Sequence, residues 1–329
     1  MKKKVSLEMG SGGRLMREFI SQKLVPTFKN PILLELHDAA CLPSGLAFTT
    51  DSYTVDPIFF PGGDIGSLCV NGTINDLVVS GARPEYLSLA LIIEEGLELE
   101  LLEKILKSIK RTASLNSVKI VTGDTKVLPQ GQGDKIFINT AGVGRLIGRP
   151  QPKKIKPGDK LIVTGSIGEH GLTIMLARND FRMISGVKSD CASLFFLLPI
   201  WKKGALWMRD ITRGGLATVL YELAEKTAYP LLIEEDKIPL SSAVQGAVEI
   251  LGIDPLYLAC EGRALIVAPE SESEKILRMS RKHRLGKRAA IIGEVQDKIG
   301  KKGEALLRTT SGGLRLLEPL TSELLPRIC

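Results

Sequence analysis

No C-x-x-C pair occurs anywhere in the chain, and its five cysteines, Cys41, Cys69, Cys191, Cys260 and Cys329, stand far apart and are odd in number. That pattern excludes a zinc ribbon and a disulfide framework. Aromatic residues make up only 5% of the chain. The excess of Lys and Arg over Asp and Glu, 44 to 37, therefore lacks the interleaved stacking residues that a nucleic-acid surface needs. Part of it comes from Lys2-Lys3-Lys4 and from the Lys153-Lys154-Ile155-Lys156 run, which read as solvated surface. Histidine is rare too: His37, His170 and His283 show no metal-ligand spacing, and only His170, in Gly168-Glu-His-Gly171 at a helix start, merits a test. No apolar run reaches the roughly 18 residues that span a bilayer. The N-terminal lysines are followed by no apolar h-region, so a cytoplasmic location is expected.

What is present fits a soluble two-domain α/β (α+β) protein. At 329 residues the chain exceeds one ordinary domain, and 44% hydrophobic residues, 25% charged residues and 33 glycines suit packed helices and sheets joined by tight bends. The period of Leu99, Leu102, Ile105, Leu106, Ile109 and Ala113 predicts an amphipathic helix over 96–115. Strands are predicted at 118–122 and 135–140. A stretch with three prolines, two glycines and four basic residues, Gly148 to Gly158, marks the domain boundary. The expected units are an N-terminal domain over 1–150, a C-terminal domain over 151–310 and a mobile tail over 311–329. In the second half, strands are predicted near 160–164, 231–234, 264–267 and 289–294, and helices near 169–178, 191–203, 215–227 and 241–251. Extended, ten tail residues reach about 33 Å, enough to cross into a cleft.

Carboxylates beside glycines or at strand ends carry the strongest chemical signal: Asp38, Asp51, Asp64, Asp76 after Asn75, Asp124 in Gly123-Asp-Thr125, and Asp210. Such oxygens suit Mg²⁺, which takes one or two carboxylates and completes its shell with water and phosphate. For any single one, a turn or a helix cap is the ordinary alternative. The segments Gly10-Ser-Gly12-Gly13, Gly62-Gly63 with Gly66, and Arg213-Gly214-Gly215 offer backbone N–H groups to phosphate, although none matches a P-loop or Rossmann fingerprint and each can equally be a flexible turn. Lys126 and Glu261, beside turns at strand ends, are candidates for proton handling, with solvated surface residues the alternative. Cys329 is the last residue, and a thiol there is either an accessible nucleophile or an inert terminal residue; spacing does not choose. It does not fit prenylation.

Taken together, Gly10-Ser-Gly-Gly-Arg14, Thr49-Thr-Asp-Ser52, Phe59-Phe-Pro-Gly-Gly-Asp-Ile-Gly66, Gly72-Thr-Ile-Asn-Asp-Leu77, Val121-Thr-Gly-Asp-Thr-Lys126, Met208-Arg-Asp-Ile-Thr-Arg-Gly-Gly-Leu216, Cys260-Glu-Gly-Arg263 and the terminal Leu325-Pro-Arg-Ile-Cys329 resemble the HypE family of hydrogenase maturation factors. The resemblance implies two domains of the aminoimidazole ribonucleotide synthetase (PurM) type, a homodimer formed through the N-terminal domains, and ATP with Mg²⁺ held by the Asp and Gly motifs. Gly12, Gly13, Asp38, Asp51, Asp64, Asn75, Asp76, Asp124, Thr125, Arg213 and Gly214 are then the expected nucleotide contacts, and Asp38, Asp51, Asp76, Asp124 and Asp210 the expected metal ligands. It further implies that Cys329 carries a carboxamide from a carbamoyltransferase, HypF, and that ATP-driven dehydration turns it into a thiocyanate for iron on a HypC–HypD complex. Lys126 and Glu261 would lie near the thiocarboxamide, Glu261 as the base. Cys260 stands where a small polar residue is expected, as a neutral filler or as a thiol competing for the modification. The competing readings are a selenide or thiamine-phosphate kinase with an incidental tail, and a scaffold that presents Cys329 without catalysis.

Overall fold

The computed structural model describes residues 4–10, 12–178, 186–320 and 328–329. Helix α1 (Arg14–Phe19) and the single turn α2 (Val25–Thr27) precede a sheet built from β1 (Ala40–Cys41), β2 (Leu46–Tyr53) and three later strands. A small hairpin, β3 (Phe59–Phe60) with β4 (Gly63–Asp64), leads into α3 (Ile65–Val79), and β5 (Ala82–Glu94), α4 (Leu99–Leu115), β6 (Lys119–Leu128) and β7 (Ile136–Leu146) follow. The order β1-β2-β7-β5-β6 is antiparallel except for the β5/β6 pair. A parallel pair cannot be closed by a hairpin, and α4 supplies the crossover. This is the helix expected at 96–115; it begins at Leu99 and buries a narrower stripe, Ile105, Ile109, Thr112 and Ala113, leaving Leu99 and Leu115 exposed.

Helix α3 is almost entirely buried, its polar Asn71, Thr73 and Asn75 included. The sheet and α4 cover one side, and the strand Trp207–Asp210 of the second half covers another. The second half comprises β8 (Lys160–Val163), α5 (Glu169–Ala177), α6 (Leu198–Trp201), β9 (Trp207–Asp210), α7 (Gly215–Lys226), β10 (Leu231–Glu234), α8 (Ser242–Leu251), β11 (Ala264–Ala268), α9 (Glu270–Lys282), β12 (Ala290–Val295), β13 (Ala305–Arg308) and β14 (Leu314–Leu316). Its sheet runs β14-β13-β10-β12-β8-β11-β9. No helix among the described residues is long and apolar enough to cross a membrane.

Two expectations change. The helix expected at 191–203 shrinks to a 3₁₀ turn at Phe195–Leu197 and the four residues of α6. The preceding backbone is committed elsewhere: Ala192 N–H donates to the Glu261 carbonyl and Leu194 N–H to Asn75 Oδ1. The tail also begins later than residue 311, because β14 pairs with β13 and Leu317 is fully buried beneath the sheet. Residues 321–327 of the expected tail lie outside the described residues.

The two halves are joined by polar clamps. Trp201 Nε1–H donates to the Val78 carbonyl of α3 at 2.8 Å. Asn75 accepts from Leu194 N–H at 2.8 Å and donates through Nδ2 to the carbonyls of Ala192 and Glu261 at 3.1 and 3.3 Å. Removing a buried partner that leaves an N–H unpaired costs about 1–3 kcal/mol. Asn75→Ala is therefore expected to lower unfolding stability by about 2 kcal/mol, read as a reduced urea midpoint at unchanged slope; an unchanged midpoint would show that the clamp contributes nothing.

Candidate active site

Asp38 before β1, Asp76 in α3 and Asp210 at the end of β9 each bring a carboxylate oxygen within 4.8 Å of the others. Each position is set locally. Thr49 Oγ1, on β2, reaches both Asp76 Oδ2 at 2.7 Å and the Asp38 carbonyl at 2.9 Å. The pairing of β9 with β11 sets Asp210 opposite Ala264. Asp51 of β2 lines the same cavity, about 270 Å³ in volume, with Gly12, Arg213, Glu261 and Cys329.

Cations are few here. Arg209 Nε lies 3.1 Å from Asp38, but its Nη1 is also 3.0 Å from Glu222, which in turn meets Arg17 at 3.3 Å. Arg213 lies 3.6 Å from Asp51. Burial, and then the neighbouring carboxylates, push Asp76 and Asp210 well above the ordinary carboxylate range. Burial raises Asp38 and Asp51 as well, against the opposing pull of Arg209 and Arg213. A set of hard oxygen donors whose charge the protein leaves under-compensated fits a divalent cation such as Mg²⁺.

The glycine segments close one wall. Gly12 has φ +82°, and a Cβ there would meet Arg213 Cβ at 2.7 Å. Arg213 Nη1 donates to the Gly10 carbonyl at 3.1 Å, so the N-terminal loop and the turn before α7 pack as one surface. Gly13 abuts the Leu320 carbonyl, and Gly214, also at positive φ, caps α7.

Glu261 sits in the turn before β11, 3% exposed, and its Oε1 has no hydrogen-bond partner among the described residues. Its N–H donates to Asp190 Oδ1 at 3.0 Å. The turn is tight because Gly262 lies against the Asp190 carbonyl, which an added Cβ would meet at 2.1 Å. Burial, reinforced by Asp210 and Asp51, raises the Glu261 carboxyl well above its usual range.

The chain's last two residues enter this cavity from the side of β2. The main-chain oxygen of Cys329 accepts from Thr54 N–H at 2.9 Å and Thr54 Oγ1 at 3.2 Å, and the Ile328 carbonyl meets His170 Nε2 at 2.6 Å. Cys329 is 8% exposed. Burial pushes its thiol up to about 12; Arg213 opposes the shift, and Glu261, Asp51 and Asp210 reinforce it.

The cavity thus collects Gly12, Asp38, Asp51, Asp76, Asp210, Arg213, Glu261 and Cys329 of the residues singled out in the sequence. Others lie elsewhere. Asp64 is the N-cap of α3, accepting from Gly66 N–H and Ser67 N–H, and Asn75 is the clamp between the halves. Asp124, Thr125 and Lys126 stand exposed on the edge strand β6, with Lys126 Nζ 2.8 Å from Asp124 Oδ2. Cys260 is fully buried in the core of the second half, its sulfur accepting from Gly168 N–H at 3.1 Å, outside the cavity lining. Arg209, Thr49, Thr54 and Glu222 were not singled out. Arg209 had a signal in adjoining Asp210; the others meet the site only through long-range packing.

The chain matches the AIR synthase related protein family, its N-terminal domain over residues 36–146 and its C-terminal domain over 156–304. The carbamoyl dehydratase HypE of Rhodobacter capsulatus is 44% identical to it, with 99% of this chain and 98% of the relative covered. This chain belongs to the HypE family. The Escherichia coli HypE is 40% identical, with 99% of each chain covered. Among solved structures, a HypE–HypF complex superposes with a TM-score of 0.86 at 40% identity, covering 92% of this chain and 99% of that one. A HypE in complex with ATP gives 0.83 at 44% identity, covering 99% and 100%. A thiamine monophosphate kinase from Aquifex aeolicus, at 18% identity and a TM-score of 0.69 over 93% of this chain and 99% of that one, shares the fold.

Burial and mutual repulsion shift the carboxylates of this HypE-family cleft toward the protonated form, and a bound cation favours the ionised form. Mg²⁺ uptake is accordingly expected to release protons, so that its calorimetric heat varies with the ionisation enthalpy of the buffer and its apparent affinity tightens as pH rises. Asp210→Asn should reduce both the affinity and the proton count. Equal heats in phosphate and Tris would show carboxylates already ionised before the metal binds.

Proposed function

We propose that this chain dehydrates an S-carboxamide on Cys329 to an S-cyanide with ATP, supplying cyanide for the iron of a [NiFe]-hydrogenase. The observation that carries the reading is the seating of Cys329 in the same cavity as the carboxylate cluster and Glu261, whose Oε1 has no hydrogen-bond partner among the described residues. The ATP complex of a 44% identical HypE supports the nucleotide, and the HypE–HypF complex supports a carbamoyltransferase as the source of the carboxamide. A HypC–HypD iron complex is the proposed acceptor.

An amide oxygen is a poor leaving group. Bound Mg-ATP activates it by phosphorylation, and loss of phosphate together with the two nitrogen protons leaves the nitrile; the water removed ends up in the phosphate. Asp38, Asp51, Asp76 and Asp210 hold the metal, and the Gly12–Gly13 and Arg213–Gly214 wall faces the nucleotide. Burial, and then the charges of Asp210 and Asp51, raise the Glu261 carboxyl. Neutralising those charges lowers its pKa, so the carboxyl becomes a base when the site is loaded. The thiol shows the complementary behaviour. A cleft that pushes Cys329 up to about 12 favours uncharged sulfur and disfavours the attacking thiolate. Carbamoylation therefore takes place with the tail outside, and dehydration with it seated.

Asp124 and Lys126 take part through a second copy of the chain. In the β2/β7/β5 sheet, Phe48, Val143 and Tyr86 form one cross-strand row, and Ile92 lies between Phe137 and Lys126 in another. Phe48, Tyr86 and Ile92 are exposed on this face. A homodimer would cover this apolar face and carry Asp124 and Lys126 to the partner's cleft.

Two outcomes are expected. With ATP, carbamoyl phosphate and the carbamoyltransferase, the C-terminal peptide should gain a carbamoyl group and then lose one water by mass, and Cys329→Ser should show neither step while still binding ATP; a nitrile product formed by Cys329→Ser would overturn the assignment. Tyr86→Glu should sediment as a monomer and lose turnover at least tenfold, whereas full activity in a monomeric variant would place Asp124 and Lys126 outside the reaction.

A further inference from the structure

His170 is fully buried, yet neither the carboxylate cluster nor the proposed dehydration uses it. Its ring is held on both nitrogens. Nε2 lies 2.6 Å from the Ile328 carbonyl, which can only accept, so Nε2 carries the proton. Nδ1 is then a lone pair, and Ser189 Oγ, 2.8 Å away, donates to it. Ser189 Oγ in turn accepts from Cys191 N–H at 3.0 Å, which leaves its single hydroxyl proton for the imidazole. The relay runs from Cys191 N–H through Ser189 O–H and the ring to the tail, each bond polarising the next. Phe60 meets the ring edge-on at 5.4 Å, and Ser189 N–H is bonded to the Pro61 carbonyl, so loops of both halves fix the donor in place. Burial lowers the His170 pKa, which keeps the ring neutral and this tautomer intact.

One residue further along the tail, Thr54 holds the Cys329 main-chain oxygen by two bonds. Ile328 packs against the core shared by the two halves. We propose that His170 and Thr54 form a two-point backbone latch on the last two residues, which sets the fraction of time that Cys329 is seated in the carboxylate cleft rather than exposed to a carbamoyl donor or an iron acceptor. His170 is a positioning residue: it acts through the tail backbone and touches no reacting atom. The inference rests on the proposed role of Cys329 as the carrier of the reacting group.

The test uses the full chain and iodoacetamide, with alkylation at each cysteine followed by mass spectrometry of its peptide. Loss of a buried hydrogen bond of this kind shifts a two-state equilibrium by about ten- to a hundredfold. His170→Ala is expected to accelerate alkylation of Cys329 by about that factor while Cys191 and Cys260 keep their wild-type rates. His170→Gln, which places an N–H donor near the position of Nε2, should recover most of the protection. Ser189→Ala, which frees the tautomer, should fall between wild type and His170→Ala. If His170→Ala unfolds, all cysteines will react faster, and Ser189→Ala then decides: selective acceleration at Cys329 supports the latch, and a wild-type rate overturns it. Unchanged Cys329 alkylation in a folded His170→Ala protein overturns it as well. Alkylation reads seating without turnover. Were the dehydration reading wrong, Cys329 would acquire no carboxamide in any variant while these alkylation differences remained. Were the latch wrong, wild-type protein would be modified normally and the alkylation rates would coincide.

Discussion

Negative charge gathered where water is scarce governs this molecule. Asp38, Asp76 and Asp210 approach within 4.8 Å of one another at the seam between two halves of the chain, and Asp51 and Glu261 share the cavity. At an effective dielectric of about 20, two unit charges about 4 Å apart repel by about 4 kcal/mol. Three such pairs exceed what Arg209, already divided between Asp38 and Glu222, offsets. Burial and mutual repulsion raise these carboxyls, which couples the uptake of a cation to the release of protons. Because these carboxylates come from the segment before β1, from α3 and from β9, they assemble only when the halves are docked. The buried polar clamps of Asn75 and Trp201 therefore serve the site as well as the fold.

The same field orders the chemistry of the tail. A thiolate entering beside Asp51, Asp210 and Glu261 meets like charge, and Arg213 alone opposes it. A thiol, a thiocarboxamide and a thiocyanate are all uncharged and escape that penalty. The cleft selects against the one form of Cys329 that reacts with a carbamoyl donor. In the proposed reaction, separation of carbamoylation from dehydration would thus follow from electrostatics.

How far the sequence revealed this depended on which features are local. Helix α4 was legible because one face meets solvent, and the 3.6-residue period survives. Helix α3 and strand β5 were not. Buried on almost every side, α3 has no solvent-exposed face, so its polar residues point inward with the apolar ones, and the half-buried β5 alternates irregularly around a bulge near Pro84. The Asp and Gly motifs pointed to the cleft because metal and phosphate chemistry restricts the residue types that serve it. Asp64 shows the limit of that argument: it shares the glycine-flanked setting of the others, and it caps a helix. Lys126 shows another, since adjacency to a turn says nothing about an edge strand that faces away from its own cleft. His170 was noticeable only by its position at a helix start. Its partner lies 158 residues away, and no spacing rule connects them.

Recognition of the tail through its backbone carries a thermodynamic consequence. His170 and Thr54 bond the main-chain oxygens of Ile328 and Cys329, so the seat makes the same contacts whatever group the sulfur carries. Contacts that are equal for substrate and product shift no equilibrium between them. A latch of this kind retains a thiocyanate as firmly as a thiocarboxamide, and release of the product has to come from something that differs between the two states. The nucleotide meets that requirement. The cavity that seats Cys329 is also lined by Gly12, Arg213 and the carboxylates, so the proposed phosphoryl transfer and loss of phosphate would change the charge along the wall against which the sulfur rests. In the proposed cycle the direction would thus be set by the occupant of the carboxylate cluster, and the proposed latch would set only how long the tail waits.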